Sequence, residues 1–429
     1  MAGFFYNLLL FLMLPATIVY YLWCIFITGK SRETWLENLG VLPRLADRPA
    51  DKKLIWLHAV SVGEVVASLP IQDELRKQLP DSVILVTTIT QTGNAIARKS
   101  AKSADAIAYL PADYPIFVNQ ALNRVKPDII VIVEAEMWPN FLAAAKHRKI
   151  PTVLVNGHVS DRSLHRRKRW QWLMSWAVSN IDLCCMQTEA DAERIRAIGA
   201  NPESVSILGS TKFDQDSGHL MEDTVRALRK DFNLPVGVPV FVAGSTNPGE
   251  EEPILDAFQE MRKSEKDLRL IIAPRQIERA EEIQGLVEAR SLRCVRRSKK
   301  NFSNDFDVLI LDTLGELAST YAVGEITFVG GTLIPKGGHS LFQPVLQGKP
   351  VLFGPHTFKT RDMAQMVIAS GVGFEVKDAS ELATRGKALL SDTRLRTKIE
   401  AACAQLVSEN QGASARCASL IVELLGGHR

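Results

Sequence analysis

The sequence predicts an α/β fold in which two parallel-sheet domains follow one another behind an N-terminal transmembrane helix. Three observations support this prediction. Short runs of Val, Ile and Leu alternate with helical stretches, which is typical of parallel strands covered by helices on both faces. The alternation occurs twice, with a break near residues 212–235. One uncharged apolar segment, residues 4–28, precedes both sets of strands.

Length, composition and charge agree with this prediction. The chain has 429 residues, 46% of them hydrophobic, and at roughly 100 to 200 residues per domain it should form two or three domains. The net charge of +3 and the lack of a binding motif argue against a nucleic-acid partner. The six cysteines form no CxxC pair, so we expect reduced thiols, with neither zinc-ligand spacing nor a disulfide framework.

The apolar segment 4–28 is long enough for a membrane anchor, which we place at residues 1–29. At ~1.5 Å per residue, its helix would cross a hydrocarbon core of ~30 Å. A signal peptide is one alternative, but no Lys or Arg precedes the segment, the run is too long, and no small-residue cleavage site follows. A buried core helix is another. Lys30 and Arg32 follow the segment, and by the positive-inside rule they place the domains in the cytoplasm.

Residues 30–212 and 213–429 are the two predicted domains. The predicted strands of the first are 54–58, 83–90, 106–110, 128–134, 152–156, 183–187 and 205–209. Those of the second are 238–243, 268–273, 306–311, 325–329, 350–353 and 373–376. The Ala- and Leu-rich stretch 378–425 predicts helices that pack on the second domain or cross back to the first. Ligands of parallel sheets bind beyond the carboxyl ends of the strands, so we expect a cleft between two rows of strand ends.

Glu64 is the first candidate for chemistry. The motif HAVSVGE, residues 58–64, lies where the first predicted strand turns into a helix, which places Glu64 in the first helical turn. A carboxylate there can act as a general base on an incoming hydroxyl. Alternatively, it only stabilises the positive end of the helix dipole. Gly63 permits close backbone approach or a positive φ.

Three further candidates lie at two strand ends of the first domain. Glu134 and Glu136 follow the fourth strand beside Trp138 and Pro139, a position typical of a site and not of the core. An ion pair between Glu136 and a local arginine is the alternative. Lys212 follows the last strand and could neutralise a phosphate or hold a carboxylate; as a solvated lysine it would have no such role.

Glycine-rich turns in the second domain favour an anion site. Ser245 and Thr246 lie in a turn that opens a helix, where free N–H groups can bind a phosphate. The spacing matches neither a P-loop nor a dinucleotide fingerprint, so a single phosphate is expected. Arg275, after Pro274, could present its guanidinium to the same anion. Four glycines within residues 330–338 let the backbone approach a ligand; the last of them, Gly337 and Gly338, precede His339.

A basic cluster at residues 165–169 is followed by Trp170 and Trp172. A solvated helix face, a nucleic-acid patch and a membrane-surface patch would each account for it. Beside a membrane anchor, attraction to anionic head groups is the favoured interpretation.

A series of short motifs occurs along the chain in a fixed order: HAVSVGE (58–64), EMWPN (136–140), LGSTKFD (208–214), GST (244–246), APR (273–275), DTLGEL (312–317), FVGGTL (328–333), KGGHS (336–340) and GPHTF (354–358). Their order resembles a known enzyme family, the 3-deoxy-D-manno-octulosonic acid (Kdo) transferases of lipopolysaccharide assembly. The resemblance covers nearly the whole chain, including the apolar segment. It implies a GT-B fold, with two tandem Rossmann-like domains facing a central cleft. It also implies an inverting glycosyltransferase that moves Kdo from CMP-Kdo to a tetraacyl lipid A precursor, lipid IVA.

The resemblance also assigns roles to residues. Glu64 corresponds to the catalytic base, and Glu136 and Lys212 to groups that stabilise the transition state. No essential metal or other cofactor is expected, and no obligate protein partner. The enzyme would be a single-pass protein of the bacterial inner membrane, with its catalytic domains on the cytoplasmic side. The CMP contacts fall on Pro274, Arg275, Leu314, Gly315, Glu316, Ser340, Leu341, Phe342 and Gln343.

Three positions, in two motifs, depart from the family pattern. The family has GGHN-x-x-E where this chain has Ser340 and Gln343, and PRH where this chain has Gln276. A glutamate would accept two ribose hydroxyls, whereas Gln343 offers one carbonyl acceptor together with donors. A GT-B enzyme with another nucleotide sugar, such as a UDP-linked one, is therefore an alternative. A silent nucleotide-binding scaffold of envelope assembly is another, although the catalytic set Glu64, Glu136 and Lys212 argues against it.

Overall fold

The structure is a computed structural model of the 429-residue chain. It describes residues 1–23, 26, 34–45, 48–49, 51–134, 137–159, 171–214, 220–299 and 303–427. The chain forms two compact units. The first comprises Met1–Gln215 together with Asn410–Arg429, and the second comprises Asp216–Glu409.

Two helices precede the first sheet: α1, Ala2–Trp23, and α2, Trp35–Asn38. Among the described residues, the segment Ala2–Tyr20 of α1 is the one helix long and apolar enough to cross a membrane. Its mean hydropathy is 1.9, and none of its apolar stretch is buried. This agrees with the predicted membrane segment. The predicted basic cluster at residues 165–169 and the adjacent Trp170 lie outside the described residues.

The first unit contains a seven-stranded parallel sheet in the order β3-β2-β1-β4-β5-β6-β7. All seven strands coincide with predicted runs. The strands are β1 (Leu54–His58), β2 (Val83–Thr88), β3 (Ala106–Tyr109), β4 (Ile129–Val133), β5 (Thr152–Gly157), β6 (Leu183–Met186) and β7 (Val205–Ile207). The helices are α3 (Val62–Gln78), α4 (Gln91–Ser100), α5 (Pro115–Val125), α6 (Pro139–His147), α7 (Gln171–Val178) and α8 (Glu189–Ile198).

Both faces of this sheet are buried. Along β1, Leu54 and Trp56 pack into one apolar cluster, while Ile55 and Leu57 pack into a second. Successive side chains of a strand point to opposite faces, so these two clusters lie on opposite sides of the sheet. This explains why the strand reads as a continuous apolar run and not as an alternating one.

The second unit contains another seven-stranded parallel sheet, in the order β10-β11-β9-β8-β12-β13-β14. Its strands are β8 (Val240–Thr246), β9 (Arg269–Pro274), β10 (Cys294–Arg296), β11 (Val308–Ile310), β12 (Ile326–Val329), β13 (Val351–Phe353) and β14 (Gly373–Glu375). Its helices are α9 (Glu222–Asp231), α10 (Glu251–Arg262), α11 (Ala280–Glu288), α12 (Leu317–Thr320), α13 (Phe342–Leu346), α14 (Arg361–Ala369), α15 (Ala379–Ser391) and α16 (Thr393–Asn410). The predicted fold class, two parallel-sheet α/β domains, is confirmed.

The last helix, α17 (Ala413–Gly427), belongs to the first unit. Its residues Cys417, Ala418, Ile421 and Leu425 join the apolar cluster beside β1 and α3. Of the two sequence-based possibilities, the final helix therefore crosses back. The predicted domain boundary at 212/213 differs from the observed division by three residues, and residues 410–429 lie in the first unit instead of the second. The five described cysteines are free thiols, and four of them are buried.

Each sheet has a point at which the strand order reverses. In the first sheet it lies between β1 and β4, and in the second between β8 and β12. Connections leave such a pair of strands in opposite directions, which opens a crevice beyond their carboxyl ends. A ligand site is therefore expected among the residues that follow these four strands.

Candidate active site

Glu64 is the third residue of α3, directly beyond the end of β1. Its carboxylate reaches back over the start of the helix. Oε2 accepts the backbone N–H of Val60 at 2.7 Å, and Oε1 accepts the Ser61 hydroxyl at 3.0 Å. This resembles a capping box, and it leaves Glu64 only 7% exposed. An ionised Glu64 accepts these two hydrogen bonds, and the ionised form is the one that a general base requires.

His58, the last residue of β1, lies fully buried behind this turn. Its Nδ1 is 3.2 Å from the carbonyl oxygen of Thr87, which can only accept, so Nδ1 carries the proton. Burial lowers the pKa of His58 to about 4, and the ring is therefore neutral at physiological pH. The ring of Trp138 packs edge-on against it, with centroids 6.4 Å apart.

Lys212 forms an ion pair at the end of β4. Its Nζ lies 2.9 Å from Glu134 Oε1. On the neighbouring strand, Asn156 Oδ1 accepts the backbone N–H of Thr211 at 3.1 Å, which fixes the turn that carries Lys212. Glu134 and Asn156 both have a positive φ, 62° and 51°. Such conformations are uncommon outside glycine and cluster at functional sites.

His158 and Asp191 form a second polar group beside this pair. Nδ1 of His158 is 3.1 Å from Asp191 Oδ1, and the buried Asp191 also accepts the backbone N–H of Val159 at 2.8 Å. The hydrogen bond to Asp191 raises the pKa of His158, burial lowers it, and the charge of Glu134 raises it further while that of Lys212 opposes it. His158 is thus electrostatically linked to the Glu134–Lys212 pair.

The structure brings some predicted residues of the first unit together. Lys212 pairs with Glu134, while Glu136 lies outside the described residues. Sequence reasoning missed Asn156, His158 and Asp191. The signal was the polar sequence that follows the fifth strand, at a carboxyl end where site residues are expected.

In the second unit, the backbone N–H groups of the first glycine pair, Gly330 and Gly331, already have hydrogen-bond partners within the protein. The buried Glu250 accepts the N–H groups of Gly331, Thr332 and Leu333 at 2.6, 2.9 and 3.0 Å. A Cβ on Gly330 would lie 2.4 Å from the carbonyl oxygen of Ser245. Gly330 and Gly331 therefore serve loop packing, which corrects the expectation that their backbone contacts a ligand.

The second glycine pair lies in a basic environment. Burial, together with the charges of Arg275 and Lys359, lowers the pKa of His339 to about 4, so His339 is neutral. Its Nε2 is 3.2 Å from Nδ2 of Asn247, directly after β8. Ser245 and Thr246 are the last two residues of β8 and do not lie in the turn that opens α10, which corrects their sequence-based placement. The backbone N–H of Arg275 donates to the carbonyl of Thr246 at 2.9 Å, so the end of β8 lies beside both Arg275 and His339.

The other residues predicted to contact the nucleotide of the sugar donor differ in exposure. Leu314 is 77% exposed, and Gly315 has a φ of 90°. Glu316 accepts a hydrogen bond from Arg297 Nη2 at 3.0 Å. Ser340 is exposed, whereas Leu341 is fully buried. Phe342 and Gln343 are half-buried at the start of α13.

Two seven-stranded parallel sheets, each with polar residues beyond the strand ends at its point of reversal, define the class of protein by fold as GT-B-like. The sequence model described as 3-deoxy-D-manno-octulosonic-acid transferase (kdotransferase) matches residues 33–215. A 3-deoxy-D-manno-octulosonic acid transferase of Haemophilus influenzae is 30% identical over 422 residues, covering 97% of each chain. This chain belongs to the Kdo transferase family.

Two other comparisons are more limited. A bifunctional glycosyltransferase/methyltransferase of Fusobacterium nucleatum is 35% identical over 338 residues, which cover 77% of this chain and 52% of that protein; the match thus spans about half of its length. The structure of UDP-GlcNAc 2-epimerase from Neisseria meningitidis bound to UDP-GlcNAc covers 88% of this chain and 100% of its own, with a TM-score of 0.61 and 14% identity. The second likeness is one of fold alone.

Proposed function

We propose that this chain transfers Kdo from CMP-Kdo to the lipid A precursor lipid IVA, with inversion at the anomeric carbon. Family membership makes it a glycosyltransferase of lipopolysaccharide biosynthesis; the acceptor and the residue roles are the proposal. The observation that carries it is the Glu64 carboxylate, held at 2.7 and 3.0 Å by Val60 and Ser61 at the strand-order reversal of the first sheet.

In the proposed reaction, Glu64 takes the proton of an acceptor hydroxyl. The hydroxyl oxygen forms a bond to the anomeric carbon of Kdo, and the bond from that carbon to the CMP phosphate breaks with its electron pair on the phosphate. Glu136 and Lys212 are proposed to stabilise charge in the transition state. Lys212 has a fixed position for this role because Glu134 and the Asn156-bound turn hold it.

The donor nucleotide is proposed to bind the second unit. Arg275, which is exposed beyond β9, would attract the leaving phosphate. Ser245 and Thr246 end β8, and Gly337 and Gly338 precede His339, which contacts Asn247 directly after that strand. Leu314–Glu316 and Ser340–Gln343 complete the proposed CMP contacts. As the family resemblance implies, we propose that the reaction needs no essential metal or other cofactor.

We place the enzyme at the inner membrane, with both units on the cytoplasmic side. The support is α1, whose segment Ala2–Tyr20 has a mean hydropathy of 1.9, and the basic residues Lys30 and Arg32 that follow it. Lipid IVA would then reach the enzyme from the cytoplasmic leaflet.

A transfer assay tests this function. Purified full-length protein is incubated with lipid IVA and CMP-Kdo generated in situ, and product masses are measured. We expect Kdo adducts from the wild type, whose number reports how many units are added. Parallel reactions with UDP-sugars should give no product. A wild type that uses a UDP-sugar and not CMP-Kdo would overturn the proposed donor.

The Glu64→Gln variant tests the base. It keeps the shape of the side chain but removes the carboxylate, so the rate should fall about 10² to 10⁴-fold. Glu189→Gln is a matched control, because Glu189 also lies in the first turn of a helix, α8, and is exposed at 64%. If Glu64→Gln were as fast as wild type, only the base assignment would be lost.

A further inference from the structure

Helix α1 contacts the first unit along one of its faces. Its half-buried residues recur at spacings of three and four, which corresponds to one face of an α-helix. Three of them, Tyr6, Asn7 and Thr17, have polar side chains. The half-buried set is Ala2, Gly3, Tyr6, Asn7, Leu10, Leu14 and Thr17.

The polar side chains of this face bind the unit directly. Tyr6 donates its hydroxyl hydrogen to Asp113 Oδ2 at 3.0 Å. Asn140 Nδ2 donates to Asn7 Oδ1 at 2.9 Å.

Two further contacts lengthen the part of α1 that packs on the rest of the first unit. Tyr114 donates its hydroxyl hydrogen to Thr17 Oγ1 at 3.2 Å. Gly3 lies so close to the ring of Trp176 that a Cβ there would be 2.9 Å away. From Gly3 to Thr17 the contacts follow α1 for roughly 21 Å at a rise of ~1.5 Å per residue.

These contacts are incompatible with a helix that crosses the bilayer. Asp113 also accepts the backbone N–H groups of Asn140 and Phe141, at 3.0 and 2.9 Å, and so caps the start of α6. If α1 crossed the membrane with its contacts intact, this carboxylate and the loops around it would enter the hydrocarbon. Irregular backbone exposed to lipid does not occur there. If α1 crossed alone, all the contacts would be lost.

The opposite face of α1 is apolar and exposed. Phe4, Phe11, Leu12 and Val19 are each exposed by 67 to 69%, and α1 has no charged side chain. A continuous apolar face of this kind requires a partner. Trp172 of α7, itself 44% exposed, packs edge-on against Phe5 and extends the apolar surface.

Positive charge adjoins this apolar surface. A cavity of about 360 Å³ is lined by Asn7 of α1, by Asn119 and by Arg148. A second cavity of about 630 Å³ shares Asn119 and is lined by the three cations Arg44, Arg124 and Lys126 together with the 69% exposed Ile116. Cations beside an exposed apolar helix are the arrangement that attracts anionic lipid head groups.

We propose that α1 lies in the plane of the membrane surface, docked on the first unit, and does not cross the bilayer. Its outer face contacts the acyl chains of one leaflet, and the cations along α5 face anionic head groups. The inference replaces the sequence-based expectation of a single-pass helix. It rests on the proposed membrane location but is independent of the transfer reaction.

The position of the N-terminus tests this arrangement. An Ala2→Cys variant, with Cys24 and Cys294 changed to serine, is expressed in cells and treated with a membrane-impermeant maleimide. We expect labelling only after the cells are lysed, because both ends of α1 are cytoplasmic. Labelling of intact spheroplasts would show that α1 crosses the membrane. Recovery of the chain in the soluble fraction would instead overturn the membrane location.

Cross-linking tests the docked contact itself. The pair Asn7→Cys and Asn140→Cys replaces two hydrogen-bonded side chains, so a short thiol-bridging reagent should join them in isolated membranes. Leu12→Cys with Asn140→Cys is the matched control, since Leu12 lies on the side of α1 away from Asn7 and is 68% exposed, and this pair should not be joined. Failure of the first pair to cross-link, or equal cross-linking of both, would contradict the docked helix.

Discussion

Two strained residues organise the end of the first sheet. Glu134 follows β4, and its backbone N–H donates to Val155 of β5, directly before Asn156. Both Glu134 and Asn156 are left-handed, at a cost of about 1–3 kcal/mol each. The conformations persist because Asn156 binds the turn of Lys212 and Glu134 pairs with the lysine. These two left-handed residues therefore hold the Lys212 cation near the crevice beyond the strand ends.

His58 makes a pH-dependent contribution to stability. Its pKa is about 4 in the folded chain, lowered by burial, against ~6.5 when unfolded. As the pH falls below 6.5, the unfolded state binds the proton first, so this contribution is lost progressively down to pH 4. Between pH 7 and pH 5 the wild type should lose about 2 kcal/mol through this residue.

The His58→Asn variant checks this expectation. Asparagine can still donate to Thr87 but cannot titrate, so denaturant unfolding at pH 7 and pH 5 should differ less for the variant than for the wild type. His147→Asn, at an exposed position, should keep the pH dependence of the wild type. An unchanged dependence in His58→Asn would mean that other groups account for it.

At the residue level, the sequence predicts which residues lie at strand ends, but it does not predict their hydrogen-bond partners. Glu64 and Lys212 could be placed at strand ends because the strands are continuous apolar runs. Glu250 could not be recognised, since its four backbone partners include three from a loop about 80 residues away. The four glycines indicate close packing, but their pattern does not tell whether a ligand or a carboxylate occupies the N–H groups.

At the level of elements, burial decides how clearly a strand can be predicted. The central strands, such as β1 and β4, are fully buried apolar runs. The edge strand β10 was not predicted: it has three residues, none of them buried, and two of its neighbours in sequence are arginines. The amphipathic pattern of α17 predicts a helix with a buried face. It does not determine which unit covers that face, because amphipathicity identifies a buried face and not the surface that packs against it.

Asp214 joins two distant elements of the first unit. Its carboxylate accepts the backbone N–H groups of Gly412 and Ser414, both at 2.6 Å, and so caps the start of α17. The first N–H groups of a helix have no partner within the helix. An Asp214→Ala change should therefore lower the free energy of unfolding by about 1–2 kcal/mol. Denaturant unfolding measures this, with the 91% exposed Asp223→Ala as control; equal effects would contradict a capping role.

At the scale of the whole molecule, the first unit is discontinuous in sequence. The chain leaves it at residue 215 and returns at residue 410. On return, α17 covers part of the apolar cluster that contains Ile55 and Leu57. Burying Ile421 and Leu425 contributes about 1.5–3 kcal/mol each, a large share of the 5–15 kcal/mol by which domains are stable. The first unit is therefore complete only after the second has been synthesised.

Fragments test this dependence. We expect residues 216–409 to unfold cooperatively on heating, because their sheet and helices lie within one continuous segment. Residues 34–215 alone should aggregate or show no cooperative transition, since the surface normally covered by α17 is exposed. Joining residues 410–427 to residue 215 through a flexible linker should restore a cooperative transition. The matched control carries Ile421→Asp in the joined segment, which places a charge in the apolar cluster and should abolish the restoration. A stable, cooperative 34–215 fragment would show that α17 adds little to the first unit.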